Sequence, residues 1–173
     1  MRKYKLEIIG FFVLVILGVI FHFLFDWLNQ SRLIAIFVPV NESIFEHLKV
    51  LFFPYLIWGL IRYFIDGKGE PNFISAHIFG VLGGMFFIIT SFYTYTGIIG
   101  NHFFIIDMII YVLSIILTLI LTKNMIDSPE FSDNIKVLSF VTIILILLSF
   151  IIFTYNPPLI NLFKDQSTGN YGI

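Results

Sequence analysis

Two carboxylates, an amide and an imidazole lie close together in the stretch Val38-Pro39-Val40-Asn41-Glu42-Ser43-Ile44-Phe45-Glu46-His47-Leu48-Lys49. This stretch, called the polar run below, leads directly into the apolar segment Val50 to Ile65. The chain has few other charges, since only 12% of its 173 residues are charged, whereas roughly 25% is usual in a soluble domain. We therefore take the polar run as the feature around which the rest of the chain is organised.

The composition excludes a soluble globular protein, because 58% of the residues are hydrophobic. Four apolar segments approach or exceed the roughly 18 residues that cross the hydrocarbon core of a membrane, and a fifth is somewhat interrupted. These runs are continuous, whereas the strands of a membrane β-barrel alternate. We predict an all-α fold, a polytopic membrane helical bundle of about five transmembrane helices. The predicted spans are about Ile8–Trp27, Leu48–Phe64, Ile74–Tyr93, Phe103–Leu121 and Val137–Phe153.

Two shorter segments lie outside these spans. The segment Leu33–Val40 is apolar but too short to cross a membrane, so we predict a short re-entrant or interfacial segment there. The turn residues Asn156-Pro157-Pro158 stop the fifth span. We expect residues 1–156 to form a single transmembrane helical domain and residues 157–173 to form a short, loosely ordered C-terminal tail.

The charged residues indicate which classes of partner to expect and how the chain is oriented in the membrane. Ten basic and eleven acidic residues give a net charge of -1, so the lipid bilayer is the expected partner and nucleic acid is not indicated. The absence of cysteine excludes disulfides and thiolate metal sites. With a cytoplasmic N-terminus, basic residues favour the inner segments, which predicts a multi-pass protein of the cell membrane in that orientation. The inner ones are Arg2, Lys3, Lys5, Arg62, Lys68, Lys123 and Lys136, and the outer ones are Arg32, Lys49 and Lys164.

This topology places polar side chains from three spans at the same depth, near the outer leaflet. Ionisable groups inside a span cost roughly 2.5 to 3.5 kcal/mol each at its centre and usually mark function. We therefore expect the cluster to converge inside the bundle, with His77 far away near the inner face. The cluster comprises His22 and Asp26, then Asn41, Glu42, Glu46 and His47, and then Asn101, His102 and Asp107.

Structural roles for the same residues stay open at this point. Ser43 and Glu46 have the spacing of a capping box, in which a hydroxyl and a carboxylate bind free amides at a helix start. His22 and Asp26 are spaced to form a packing pair on one helix face. His102, with Asp107, is also suited to the membrane interface, where a polar side chain costs little.

The polar run, together with His22-Phe23-Leu24-Phe25-Asp26-Trp27 before it and Phe52-Phe53-Pro54 after it, resembles a known family. That family consists of small bacterial integral membrane proteins of unknown function, DUF6512. The resemblance is strongest over Phe21 to Pro54. It implies a multi-span bacterial membrane protein and carries no activity.

The leading functional hypothesis is a metal-dependent membrane hydrolase acting on a small-molecule or lipid substrate. Imidazoles and carboxylates together suit a divalent metal such as zinc, which activates a bound water. The general base is then Glu42 or Glu46. The sequence lacks the His-Glu-x-x-His pattern of many metalloproteases. The predicted metal ligands are His22, Asp26, His47 and His102.

Two alternatives come from other classes of protein. A proton-coupled transporter or carrier is suggested by titratable groups toward the inner face, Glu7 and His77, although the middle of each span is almost wholly apolar. A non-catalytic assembly partner, or a homo-oligomer, is suggested by small residues on the third span, which allow close helix approach. These small residues are Gly80, Gly83 and Gly84.

Overall fold

Five long helices account for most of the chain in the computed structural model, which describes residues 5–173. All five are long and apolar enough to cross a membrane, and the described residues contain no strand beyond one isolated bridge between Lys164 and Tyr171. The predicted all-α fold with five spans is therefore confirmed. The helices are α1 (Lys5–Trp27), α2 (Ile44–Arg62, continued as a π-helix over Tyr63–Gly67), α3 (Phe73–Ile99), α4 (Phe104–Ile126) and α5 (Asp133–Tyr155).

Helix ends differ most from the prediction at the end of α3. We predicted that this span ends at about Tyr93, but the helix continues to Ile99. It ends at Gly100, whose φ of 82° is in the left-handed region and whose N–H donates to the carbonyl of Thr96. Threonine and tyrosine hydroxyls do not break a helix by themselves, so the glycine decides where α3 stops.

The helices α2 and α3 form the interior of the bundle. In their most apolar windows 61% and 56% of the residues are buried, whereas the values for the other three helices lie between 17% and 28%. Phe52 of α2 and Phe150 of α5 are fully buried, and their rings lie 5.3 Å apart. The polar run therefore leads into α2, which together with α3 is one of the two most buried helices of the bundle.

Glycines on α3 form a close contact with α4. A Cβ at Gly80 would collide with Thr122, and one at Gly84 would collide with Thr118. Close approach of this kind is the expected use of small residues in membrane helices. This face of α3 is thus covered by α4 within the chain.

The C-terminal tail packs onto the bundle, so the expectation of a loosely ordered tail is wrong. Its short 3-10 helix, Asn161–Phe163, buries Phe163 against Phe45, with ring centroids 4.6 Å apart. Near the end of the chain, the carbonyl of Gly172 accepts a hydrogen bond from the side chain of Asn41 at 3.0 Å. The tail therefore reaches back to the polar run.

Candidate metal centre

The alternating direction of the helices brings the end of α1 and the start of α2 to one end of the bundle, called the His22 end below. The opposite end, where Glu7 of α1 lies 3.4 Å from Arg62 of α2, is called the Arg62 end. The start of α2 is defined by Ser43, whose hydroxyl accepts the N–H of Glu46 at 3.3 Å. Asn41 accepts the N–H of Ser43 at 2.9 Å, so one half of the predicted capping box forms and Asn41 supplies the other bond.

Three side chains converge at the His22 end: His22 from α1, His47 from α2, and Glu42 just before α2. Each offers one donor atom, and these atoms all lie within 4.8 Å of one another. Nε2 of His47 lies 3.3 Å from a Glu42 oxygen, and Nε2 of His22 lies 4.0 Å from the other. Two donors on a tetrahedral zinc lie about 3.3 to 3.6 Å apart, given metal–donor bonds of about 2.0 to 2.2 Å. Small side-chain movements would thus complete the site.

The other ring nitrogen of His47 orients the imidazole. Nδ1 lies 2.9 Å from the carbonyl oxygen of Ser43, which can only accept, so Nδ1 carries the proton. Nε2 faces Glu42 and donates to its carboxylate when the ring is protonated, whereas in the neutral ring the Nε2 lone pair is free to bind a metal. Histidines that bind metals usually donate their second N–H to a carbonyl or carboxylate in this way. His47 is therefore held in the tautomer that a metal requires.

Glu42 supplies the negative charge of the group. Its hydrogen bond with His47 is the main reason that the pKa of this carboxyl lies below its ordinary value, while partial burial opposes the shift. The Glu42 side chain is 51% exposed, compared with 30% for His22 and 31% for His47. All three side chains are therefore partly exposed at the surface of the protein.

Glu46 faces a different partner, and the expectation that it would join the cluster is wrong. One of its oxygens lies 2.6 Å from Nζ of Lys49 and also accepts the N–H of Val40 at 3.0 Å. The other accepts the hydroxyl of Thr154 at 3.0 Å. With both oxygens engaged inside the bundle, Glu46 is poorly placed to take a proton from a metal-bound water.

Lys49 is a buried charged residue whose role was not expected from the sequence. It is fully buried, and its ammonium donates to the carbonyl of Ala35 at 2.8 Å, to Glu46, and to Thr154 at 2.6 Å. Three good acceptors match the three donors of an ammonium. The Lys49 network thus ties α2 to α5 and to the segment Leu33–Val40, which forms a 3-10 turn at Ile34–Ile36.

Asp26 and His102, the other two predicted ligands, lie outside the converging group. Asp26 is exposed one turn beyond His22, and it accepts a hydrogen bond from Gln30 at 3.3 Å. His102 pairs with Asp107 at 3.2 Å, and that carboxylate also accepts the hydroxyl of Tyr95. Both residues lie beside α3, since Asp107 contacts Tyr95 and the ring of His102 lies 6.4 Å from that of Phe92.

His77 lies at the Arg62 end, as expected. Its Nδ1 bonds the carbonyl of Phe73 at 2.8 Å, and its ring lies against Tyr55, 5.5 Å away. A charged cavity of about 240 Å³ opens at this end, and a smaller recess beside it contacts His77. The cavity is lined by Leu6, Glu7, Arg62, Asp66, Glu70, Phe73, Lys123, Ile126 and Asp127.

These observations define the class of protein: a helical bundle suited to a membrane, with a His/Glu cluster at one end and a charged cavity at the other. The chain belongs to the family of unknown function DUF6512, whose model matches residues 1–173. The match covers the whole chain and confirms the resemblance seen around the polar run. No curated protein and no solved structure matches the chain.

Proposed function

We propose that this protein is a metal-dependent membrane hydrolase with a divalent metal such as zinc at the His22 end. The observation that carries the proposal is the convergence of His22, His47 and Glu42, whose donor atoms lie within 4.8 Å of one another. Two imidazoles and one carboxylate are a donor set of catalytic zinc sites, in which a water occupies the fourth position. Structural zinc sites, in contrast, usually have four protein ligands.

The proposed roles differ from those expected from the sequence. Glu42 becomes a ligand, because it lies between the two histidines. Asp26 becomes the general base, because it is exposed one turn from His22 and, among residues 5–173, its side chain accepts one hydrogen bond, the long contact from Gln30. Metal binding lowers the pKa of a bound water toward about 7, so a carboxylate can take its proton near neutral pH.

We expect the purified protein to bind one zinc ion per chain and to lose it on His47→Ala substitution. Removing one of three protein ligands should weaken zinc binding more than about 100-fold, since changing even an outer-shell partner costs 10-fold to 100-fold. The measurement is a zinc titration of metal-free protein in detergent, read by elemental analysis after desalting. His102→Ala is the matched control, because this histidine lies at the same end but outside the group.

Two outcomes contradict the proposal. One is a wild-type protein that retains no zinc at saturating concentration; the other is a His47→Ala variant with unchanged affinity. Hydrolysis is measured separately with ester probes. Zinc-loaded protein is expected to exceed both the metal-free protein and the His47→Ala variant by about 100-fold or more, because a metal-activated water is the proposed nucleophile.

A proton-coupled carrier is the second candidate, and the charged cavity at the Arg62 end favours it. The cavity gives water access to Glu7 and to the recess beside His77. Fully buried apolar residues, Leu14 and Leu51, lie between the two ends, which is why this candidate ranks second.

For the carrier, His77→Phe is expected to abolish proton flux while preserving an aromatic ring against Tyr55. The measurement is acidification of proteoliposomes followed with an entrapped pH dye, with His102→Phe as the control. Wild-type flux no greater than that of protein-free liposomes removes this candidate and leaves the metal site untouched.

A further inference from the structure

We propose that the substrate is a membrane lipid, cleaved at an acyl ester bond that reaches the metal site from within the bilayer. This inference rests on the proposed hydrolase. It names the class of substrate that the position of His22, Glu42 and His47 in the bundle favours.

The depth of the site in the bilayer matches that of lipid ester bonds. Trp27 ends α1 and is 63% exposed, which is typical of an aromatic residue at the membrane interface. His22 lies five residues earlier, so its Cα is about 7.5 Å deeper along the helix. The hydrocarbon core is about 30 Å thick and the whole bilayer about 40 to 45 Å, so each headgroup layer is only about 5 to 7.5 Å thick. A group one such layer below Trp27 lies at the level where acyl chains join their ester carbonyls, below the phosphates.

The surface of α1 next to the site is apolar and exposed. Beside His22 on α1, the side chains of Val19 and Phe23 are both 46% exposed on the surface that faces outward from the bundle. The ring of Phe23 touches that of His22, with centroids 4.9 Å apart. The tail packs beside Glu42, where the N–H of Gln166 approaches the Glu42 carbonyl at 3.5 Å. An apolar, exposed surface of α1 therefore borders the site at His22, and lipid can reach the site along it.

The chemistry needs no oxidant or second substrate. The oxygen of the activated water forms a bond to the ester carbonyl carbon, and Asp26 takes one proton from that water. The bond between the carbonyl carbon and the alcohol oxygen then breaks, and its electron pair stays on the alcohol oxygen, which receives the proton from Asp26. The products are a carboxylic acid, which ionises in water, and a lipid alcohol.

The test compares two esters with the same headgroup, a dioleoyl phosphatidylcholine in vesicles and its water-soluble dibutyryl counterpart, with zinc-loaded protein reconstituted in nanodiscs or vesicles. The long-chain ester is expected to be cleaved about tenfold faster or more, because binding energy from its chains holds the ester at the site. Val19→Trp, which adds bulk on the lipid-facing side of His22, should slow only the long-chain reaction by about fivefold or more, read as a change in kcat/KM. Leu145→Trp is the matched control, because Leu145 is exposed on α5.

The outcomes separate this inference from the proposed function. Equal or faster cleavage of the dibutyryl ester, or a Val19→Trp variant that slows both esters equally, overturns the lipid inference and leaves the hydrolase standing. Bound zinc with no cleavage of either ester overturns the hydrolase and this inference with it. Zinc content, measured in the same samples, shows whether a variant has lost activity through loss of the metal.

Discussion

Replacing Lys49 with methionine is expected to destabilise the bundle by about 3 to 5 kcal/mol, because breaking a buried ion pair leaves the other charge without compensation. The charge left behind is Glu46, which is only 2% exposed. The carbonyl of Ala35 and the hydroxyl of Thr154 lose their donor at the same time. In a chain of this size the loss corresponds to a fall in Tm on the order of 10 °C, measured by intrinsic fluorescence in detergent.

A double variant and a surface control separate the ion pair from general damage. Lys49→Met combined with Glu46→Gln removes both charges but retains an acceptor for the N–H of Val40, so it should recover about half of the loss. Lys136→Met breaks an exposed ion pair with Glu130, and its Tm should equal that of the wild type. A Lys49→Met variant that unfolds at the wild-type temperature contradicts the role assigned to this network.

The fold was largely predictable because each apolar run is continuous and long enough to cross a membrane. Helix ends were less predictable, as α3 shows by continuing through Thr94 to Ile99. A hydropathy profile scores each residue separately. A helix instead ends where the hydrogen-bonding pattern of its backbone changes, here at Gly100. The tail was misjudged because its polar composition conceals Phe163, the residue that anchors it.

The site was predictable only in part, because hydropathy assigns residues to an end of the bundle but does not say which helices are neighbours. His22 and His47 meet because α1 packs on α2, whereas His102 is directed elsewhere because α4 packs on α3. The buried ion pair between Glu46 and Lys49 could have been predicted from the sequence. Glu46 and Lys49 are three residues apart on one helix face, and a lysine at the start of an apolar span needs a partner. Counting Lys49 among the outer loop charges obscured that signal.

The contact between α3 and α4 leads to the second large effect. Gly84→Val is expected to destabilise the bundle by about 3 kcal/mol, at the upper end of the usual range for overpacking. A Cβ at Gly84 would collide with the hydroxyl of Thr118 and lie 3.2 Å from the backbone carbonyl of Ser114. The backbone atom cannot rotate away, so the two helices must separate. The measurement is again Tm in detergent.

Gly97 provides the matched control, because it lies on the same helix and a Cβ there meets no atom within 4 Å. Gly97→Val should leave Tm unchanged within about 2 °C, as expected for an exposed helix position.

A further pair of variants tests whether Thr118 is the group with which a side chain at position 84 collides. Gly84→Ala should lower Tm, and adding Thr118→Ala should restore part of it, because Thr118 is fully buried and its hydroxyl has no hydrogen-bond partner among residues 5–173. If Gly84→Val and Gly97→Val unfold at the same temperature, α3 and α4 do not pack through this face, and the small residues of α3 become available to a partner after all.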